Sequence, residues 1–108
     1  MAIKHALMVG MMGRVADRFH EYQSARDLIG RLELAKQVTN ADGIEIVYPS
    51  EFKNMAETIR IIKESGLTIS AVNLNVKQEK RWQRGSFTNP DPEIRRQAVL
   101  IALRLLLP

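Results

Sequence analysis

Three mostly apolar segments alternate with three segments of helical periodicity along the chain. The apolar segments run from His5 to Met12, from Gly43 to Tyr48 and from Thr68 to Asn75. Short runs in which apolar side chains occupy both alternating positions are typical of parallel strands that are covered on both faces. These segments therefore predict three buried β-strands.

The segments between the strands begin with helix-capping residues. Ser24 and Asp27 have the spacing of a capping box, in which each side chain bonds the other residue's backbone amide. Asn54 predicts a second cap, and Asp91, which precedes Pro92 and an acid, predicts a third. Apolar residues then recur at helical spacing: Leu28, Leu32, Ala35 and Val38, then Met55, Ile59 and Ile62, and finally Ile94, Ala98, Ile101 and Leu105.

The order β-α-β-α-β-α predicts an α/β fold with a parallel sheet and right-handed crossovers, in a single domain over residues 1–108. Both a doubly wound sheet and a barrel fit this pattern. Long loops from Gly13 to Gln23 and from Val76 to Pro90 follow the carboxyl ends of strands. Binding sites of α/β proteins lie on that side of the sheet, so we expect the functional residues there.

Composition narrows the class of protein. The 108 residues are 45% hydrophobic and 26% charged, which is ordinary for a soluble globular domain. No apolar run approaches the roughly 18 residues of a membrane-spanning helix, so no membrane partner is expected. The chain has no cysteine, which excludes disulfides, thiolate metal sites and cysteine nucleophiles. A cytoplasmic location is the simplest expectation.

The net charge of +4 is compatible with an anionic partner, either nucleic acid or a sugar phosphate. One dense basic patch, Lys77, Lys80, Arg81 and Arg84, surrounds Trp82. The other basic residues are spread along the chain, so a solvated basic surface explains the charge more simply than a nucleic-acid site. We therefore expect a small molecule rather than nucleic acid as the partner.

Four segments resemble the xylose-isomerase-like family of sugar phosphate isomerases/epimerases. Leu7 to Arg14 is similar to the first strand and loop of that family, Asp42 to Pro49 to the second strand, and Gly66 to Asn75 to the third. The strongest likeness is in Arg81 to Val99, which resembles the loop that precedes the third helix and lies over the sugar. The resemblance covers nearly the whole chain.

The resemblance implies a (β/α)8 TIM barrel of roughly 250 residues, of which this chain holds the first three βα units. It also implies an isomerase or epimerase that moves a proton beside the carbonyl of a ketose or aldose, either free or phosphorylated. A divalent metal (Mn, Mg, Co or Zn) is held in that family by acidic and His residues on later strands. No metal ligand or catalytic residue is therefore assigned to this chain, which we expect to be inactive alone.

Three residues on the predicted strands are candidates for substrate binding. Glu45 has two candidate roles. In the first, it hydrogen-bonds sugar hydroxyls or supports a metal indirectly. In the second, it pairs with a nearby Lys or Arg, because burying an unpaired charge costs several kcal/mol. Asn73 and Asn75 share strand parity, so they face the same way. Amides donate and accept hydrogen bonds, which suits a polyol; the alternative role is capping of the loop that follows.

Three further candidates lie at strand ends and in loops. Arg14 either binds a phosphate or carboxylate in bidentate fashion or is a surface arginine. Tyr48 either stacks on a sugar or packs in the core. Trp82 is expected to be an exposed lid over the sugar; its alternatives are a nucleic-acid stacking platform or an anchor for the loop. His5 and His20 lack metal-ligand spacing, so we expect them to be structural or exposed.

The sequence leaves two other hypotheses open. The chain is a fragment of a metal-dependent barrel of the abasic-site endonuclease kind, or it is a stand-alone interaction module. Three βα units leave two open sheet edges, which invite self-association. The segment Val99 to Pro108 carries Arg104 as its only charge, whereas an outer barrel helix has a polar face. This apolar end predicts either truncation of a longer protein or burial against a partner chain.

Overall fold

The computed structural model describes residues 2–17, 19–24 and 26–106. Within these ranges the chain forms five strands and three α-helices, joined in part by short 3-10 turns. In chain order they are β1 (Ala6–Met8), β2 (Val15–Ala16), β3 (Glu21–Gln23), α1 (Leu28–Lys36), β4 (Gly43–Tyr48), α2 (Met55–Ser65), β5 (Ile69–Leu74) and α3 (Pro92–Leu106). None of the described helices is long and apolar enough to cross a membrane.

A three-stranded parallel sheet with the order β1-β4-β5 forms the centre of the fold. The α/β class and the parallel sheet are thus confirmed. β4 begins and ends at the predicted residues, and it pairs with a strand on each side. β5 is shorter by one residue at each end than the predicted segment.

The core lies between one face of this sheet and the helices α1 and α2. Ile44 and Ile46 of β4 are at most 1% exposed there. Their buried partners are Val9, Leu32, Ala35 and Ile62. Because side chains alternate along a strand, Glu45 and Val47 point to the opposite face, away from this cluster. The helix-covered face is therefore closed, and the other face is where a site can form.

The first predicted strand is wrong in length, because β1 ends at Met8. The chain then enters a 3-10 turn over Val9–Met11, in which the Met12 amide donates to the Val9 carbonyl at 3.1 Å. Val9 is 1% exposed, so the turn places its side chain in the core. The following predicted loop also differs, since it contains the antiparallel ribbon of β2 and β3.

The predicted capping box of the first helix is wrong. Asp27 is the N-cap and its Oδ1 accepts from the Gly30 amide at 2.8 Å. The Ser24 hydroxyl instead donates to Glu21 at 2.8 Å, because Ser24 directly follows β3. An aspartate at the cap position satisfies the orphan amides of α1 without the serine.

The caps of the other two helices are confirmed. Asn54 Oδ1 accepts from the Glu57 amide at 3.2 Å, and Asp91 Oδ1 accepts from the Glu93 amide at 2.9 Å. The predicted apolar stripe of α2 is only partly buried: Ile62 is in the core, whereas Met55 and Ile59 are exposed. Thr58 faces inward in their place, since its hydroxyl donates to a backbone carbonyl.

The β5–α3 part of the fold is much less covered. Every residue of β5 before Leu74 is exposed, including Val72. On α3, Ala98 is fully buried, and the predicted neighbours on its stripe are half-buried. A second apolar set on the same helix faces solvent: Val99, Leu100, Leu103 and Leu106.

Candidate functional site

A cleft of about 240 Å³ lies at the carboxyl ends of β4 and β5, next to the turn that follows β1. Ligands of open α/β sheets bind at this end of the strands. Its apolar residues are Met8, Met11 and Val47, with Gly10 between them; its polar residues are Ser50, Glu51, Asn73, Asn75, Lys77 and Gln78.

Strand register explains why these side chains meet. Val47 of β4 is paired with Asn73 of β5. Both are on the face opposite Ile46, so they point away from the helices. The structure thus brings the two predicted asparagines together in one cleft, on the predicted side of the sheet.

Asn75 has a structural role in addition to lining the cleft. Its Oδ1 accepts from the backbone amides of Lys77 at 3.1 Å and Gln78 at 3.2 Å. Its own amide donates to the Tyr48 carbonyl at 2.8 Å, which ties the start of the loop to the end of β4. The loop-capping alternative is therefore realised, while Asn73 is exposed and its side chain is not used in this way.

Glu45 lies on the same face as the cleft, two residues before Val47. It is half-buried rather than buried, and its register partners are Met8 and Ala71. Its carboxylate makes no hydrogen bond or ion pair with the described residues. The alternative of a pairing with Lys or Arg is not seen among the described residues, where the open face lets water solvate the charge.

The described residues do not form a metal site. No group of three or more His, Cys, Asp or Glu among them is placed to hold an ion. Glu45 is a single carboxylate between Met8 and Ala71, whose side chains are not ligands for a hard divalent cation. These residues therefore do not fit the divalent metal that the family resemblance implies.

Arg14 lies beside the β2–β3 ribbon and is not among the cleft residues. Its Nε donates to Glu21 at 3.1 Å, and its side chain is 56% exposed. The Ser24 hydroxyl and then Arg14 hold the pKa of Glu21 below its usual range. On the same ribbon, the Tyr22 hydroxyl lowers the pKa of Asp17 and has its own pKa raised by that bond. Arg14 thus already has a carboxylate partner.

Tyr48 and Trp82 both pack rather than face the cleft. Tyr48 shares strand parity with Ile46, and its ring lies 5.8 Å from that of Phe52, centroid to centroid. Trp82 is 4% exposed, with the Arg81 guanidinium 4.3 Å from its ring centroid. The expectation of an exposed lid is wrong, because the 3-10 turn Lys80–Trp82 turns the indole inward. This is the loop-anchor alternative.

One strong contact beside the cleft has no signal in the sequence. Arg31 of α1 donates to both carboxylate oxygens of Glu51, at 2.7 and 2.9 Å. Arg31 is 8% exposed, so the pair is largely shielded from water. The Thr58 hydroxyl of α2 donates to the Glu51 backbone carbonyl. Residue 51 is therefore held by side chains of two helices, α1, which is distant in sequence, and α2, which begins shortly after it.

Lys77 and Gln78 also line the cleft, but the sequence analysis does not predict them as site residues. The sequence pattern places Lys77 in a general basic patch and assigns no role to Gln78. A local signal for both exists, since an asparagine after a strand often bonds amides two and three residues further on. The two histidines behave as expected, because both are exposed.

Two other recesses differ from the cleft in position. One, of about 130 Å³, is a groove between α1 and α2 on the outer, helical side. The other, of about 250 Å³, lies beside the basic loop and includes Lys80, Arg81 and Arg84. The groove is on the helical side, and the recess beside the basic loop includes no strand residue, so the cleft, which includes the ends of β4 and β5, is the candidate site. No protein-family model matches the chain, and a search of curated proteins finds no significant match.

Proposed function

We propose that the chain is the amino-terminal part of a sugar or sugar phosphate isomerase/epimerase with a (β/α)8 barrel, and that the cleft is one wall of its sugar site. The observation that carries this proposal is the polar cleft at the carboxyl ends of the parallel strands. It lies on the face of the sheet that a barrel turns inward. The residue resemblance to the xylose-isomerase-like family supports the same assignment.

Within this proposal, the cleft residues bind and orient the sugar. The Asn73 side chain donates to and accepts from hydroxyl groups, and the remaining amide hydrogens of Asn75 add a donor. Glu45 accepts from a hydroxyl that reaches one pleat deeper. Met8 and Met11 contact the carbon skeleton. Tyr48 and Trp82 support the site indirectly, by packing, and no role in it is assigned to Arg14.

Proton transfer is not assigned to this chain. In the complete barrel, residues of other strands would hold the divalent metal and provide the acid/base carboxylates, and the metal would supply Lewis-acid chemistry. The 108-residue chain is accordingly inactive alone. We place the enzyme in the cytoplasm, in keeping with a chain that has no cysteine.

Ligand-observed NMR with xylitol and sorbitol tests the sugar site on the chain itself. We expect saturation transfer to both polyols and a marked loss of transfer in Asn73→Ala. Gln83→Ala removes an exposed amide outside the cleft and is the matched control. Equal transfer in the two variants would contradict the assignment of the cleft.

The coding sequence beyond codon 108 tests the barrel. We expect a fourth strand and, on later strands, the Glu, Asp and His residues that hold a metal. A continuation with these features assigns the activity to the longer protein. A gene in which no reading frame contains them would contradict the enzyme proposal, and the likeness would then describe ancestry.

A self-associating interaction module is the second candidate function. It is favoured by the exposed apolar residues of α3, among them Leu100 and Leu103, and by the outer edge of β5, which has no strand partner in the described part of the chain. Gel filtration with light scattering distinguishes the two. A stable, defined oligomer that binds no polyol supports the module.

A further inference from the structure

The contact with Arg31 uses only half of the hydrogen-bonding capacity of the Glu51 carboxylate. Glu51 lines the cleft, and its side chain is 16% exposed. The two terminal nitrogens of Arg31 donate to its two oxygens, at 2.7 and 2.9 Å. A carboxylate has about four lone-pair sites, two on each oxygen. Arg31 occupies one site on each oxygen, so each oxygen can still accept one more hydrogen bond.

The same contact sets the charge of this acceptor. Arg31 is 8% exposed and is not among the described residues that line the cleft, so its guanidinium compensates the carboxylate from outside the cleft. A carboxylate with a cation beside it attracts a second cation only weakly. Its oxygens accept hydrogen bonds and do not donate them, so they do not bind an anion. The groups that fit best are neutral donors such as hydroxyl groups.

The orientation of the two oxygens is fixed as well. Nε of Arg31 donates to the carbonyls of Arg26 and Asp27 at 3.0 and 3.3 Å, which anchors the guanidinium fork at the start of α1. The Thr58 hydroxyl donates to the Glu51 carbonyl and holds the backbone of that residue. A bidentate fork defines the plane of the carboxylate that it binds. Both acceptor oxygens of Glu51 are therefore oriented before a ligand arrives.

We infer that Glu51 is a specificity-determining residue of the cleft, which accepts from two adjacent hydroxyl groups of one ligand, and that Arg31 is its positioning residue. This inference rests on the proposed sugar site and adds a preference among its ligands. Two oxygens on one carbon match two hydroxyl groups that point side by side, whereas hydroxyl groups that diverge reach only one of the oxygens. The cleft therefore prefers a cis diol to a trans diol.

Ligand-observed NMR with 1,4-anhydroerythritol and 1,4-anhydrothreitol tests the inference on the full 108-residue chain. These two ring diols have the same atoms and differ only in whether their hydroxyl groups are cis or trans. We expect the cis diol to bind about tenfold more tightly, because it makes a second hydrogen bond to a charged acceptor. Sorbitol is titrated in parallel as the probe of the proposed sugar site.

Arg31→Met combined with Glu51→Gln removes the fork without leaving an unpaired charge shielded from water, so we expect this double variant to fold. It should bind the two diols equally. Arg60→Met combined with Glu64→Gln makes the same changes in an exposed ion pair outside the cleft, and this matched control should keep the preference for the cis diol. Arg31→Lys is a further test, because a single ammonium does not hold both oxygens; we expect it to lower the preference to about threefold.

The ratio of the two affinities distinguishes positioning of a ligand from a purely structural role. If the double variant loses affinity for both diols in equal proportion, the ion pair is structural and the inference is overturned. If that variant does not fold, Arg31→Lys decides by the same ratio. Equal binding of the two diols by the wild type would also overturn the inference, while binding of sorbitol would leave the proposed function standing. A cis preference that depends on Glu51, without binding of sorbitol, would support the inference and reject the sugar site. Absence of saturation transfer to all three ligands would reject both.

Discussion

The two parts of the structure that meet at the central strand β4 differ sharply in how completely their apolar side chains are buried. On the β1–α1–β4–α2 side, Ile44 and Ile46 are sealed beneath two helices. On the β5–α3 side, Ile69 is 40% exposed and Val72 37%, although both strands are predicted to be buried. The difference shows that burial of a strand depends on the neighbour on each side of it. The apolar face of a βα unit is fully buried only when the next unit packs beside it.

The largest expected effect is in the sealed region. Ile46→Ala removes most of a side chain that is 1% exposed, and we expect it to destabilise the fold by about 4 kcal/mol. Val72→Ala, on the open strand, is expected to cost less than about 1 kcal/mol, because little of the lost surface is buried. Urea unfolding followed by circular dichroism measures both. Similar losses of unfolding free energy in the two variants would contradict the difference in packing between the two regions.

Glu51→Gln is expected to have the next largest effect, about 3 kcal/mol. The substitution leaves the Arg31 guanidinium shielded from water without a carboxylate partner. The exposed pair Arg60–Glu64 provides the control, since Glu64→Gln is expected to change stability by less than about 0.5 kcal/mol. The same unfolding experiment applies, and a loss for Glu51→Gln as small as that of the control would show that the pair is solvated.

Substitutions in the β5–α3 region are expected to change self-association more than the free energy of unfolding. Leu100→Glu combined with Leu103→Glu places charges on the exposed face of α3, where helix propensity is nearly unchanged. We expect the wild-type chain to elute as an oligomer and the variant to elute as a monomer. Met55→Glu, an exposed site on the sealed side, is the control. A cooperative melt of a monodisperse wild-type monomer would contradict this expectation.

The smallest expected effect is a pH dependence of the helicity of α3. Bonds from Arg96 and Gln97 lower the pKa of Glu93 from its usual 4.5. A carboxyl whose folded pKa is lowered stabilises above its unfolded pKa, and this contribution is lost as pH falls from about 4.5 through the lower folded value. Carbon chemical shifts of α3 should therefore lose helical character before those of α1. Glu93→Gln should remove the difference; if it persists, another group is responsible.

Local signals in the sequence predict much of the fold. The bounds of β4 and the caps at Asn54 and Asp91 follow from contacts within a few residues. The predicted first strand is too long because its apolar run serves both β1 and the buried Val9 of the turn. The predicted Ser24 cap is wrong because two acceptable caps lie three residues apart and tertiary context decides between them.

The candidate site is predictable only where strand parity decides it. Asn73 and Asn75 follow from alternation and from their position at a carboxyl end. The burial of Trp82 and the bond between Arg31 and Glu51 depend on residues that are distant in sequence, and no local pattern encodes them. The barrel, the family and the isomerase activity stay predictions.

The double attachment of residue 51 has a consequence for how the cleft adapts to a ligand. Its side chain is bonded to α1 and its carbonyl to α2, so the Ser50–Glu51 wall is already ordered before binding. The opposite wall has a fixed backbone turn, but the long side chains of Lys77 and Gln78 are free to change rotamer. The conformational entropy lost on binding is therefore concentrated in these two side chains. A ligand of the cleft would therefore meet one rigid wall and one wall whose side chains can adjust.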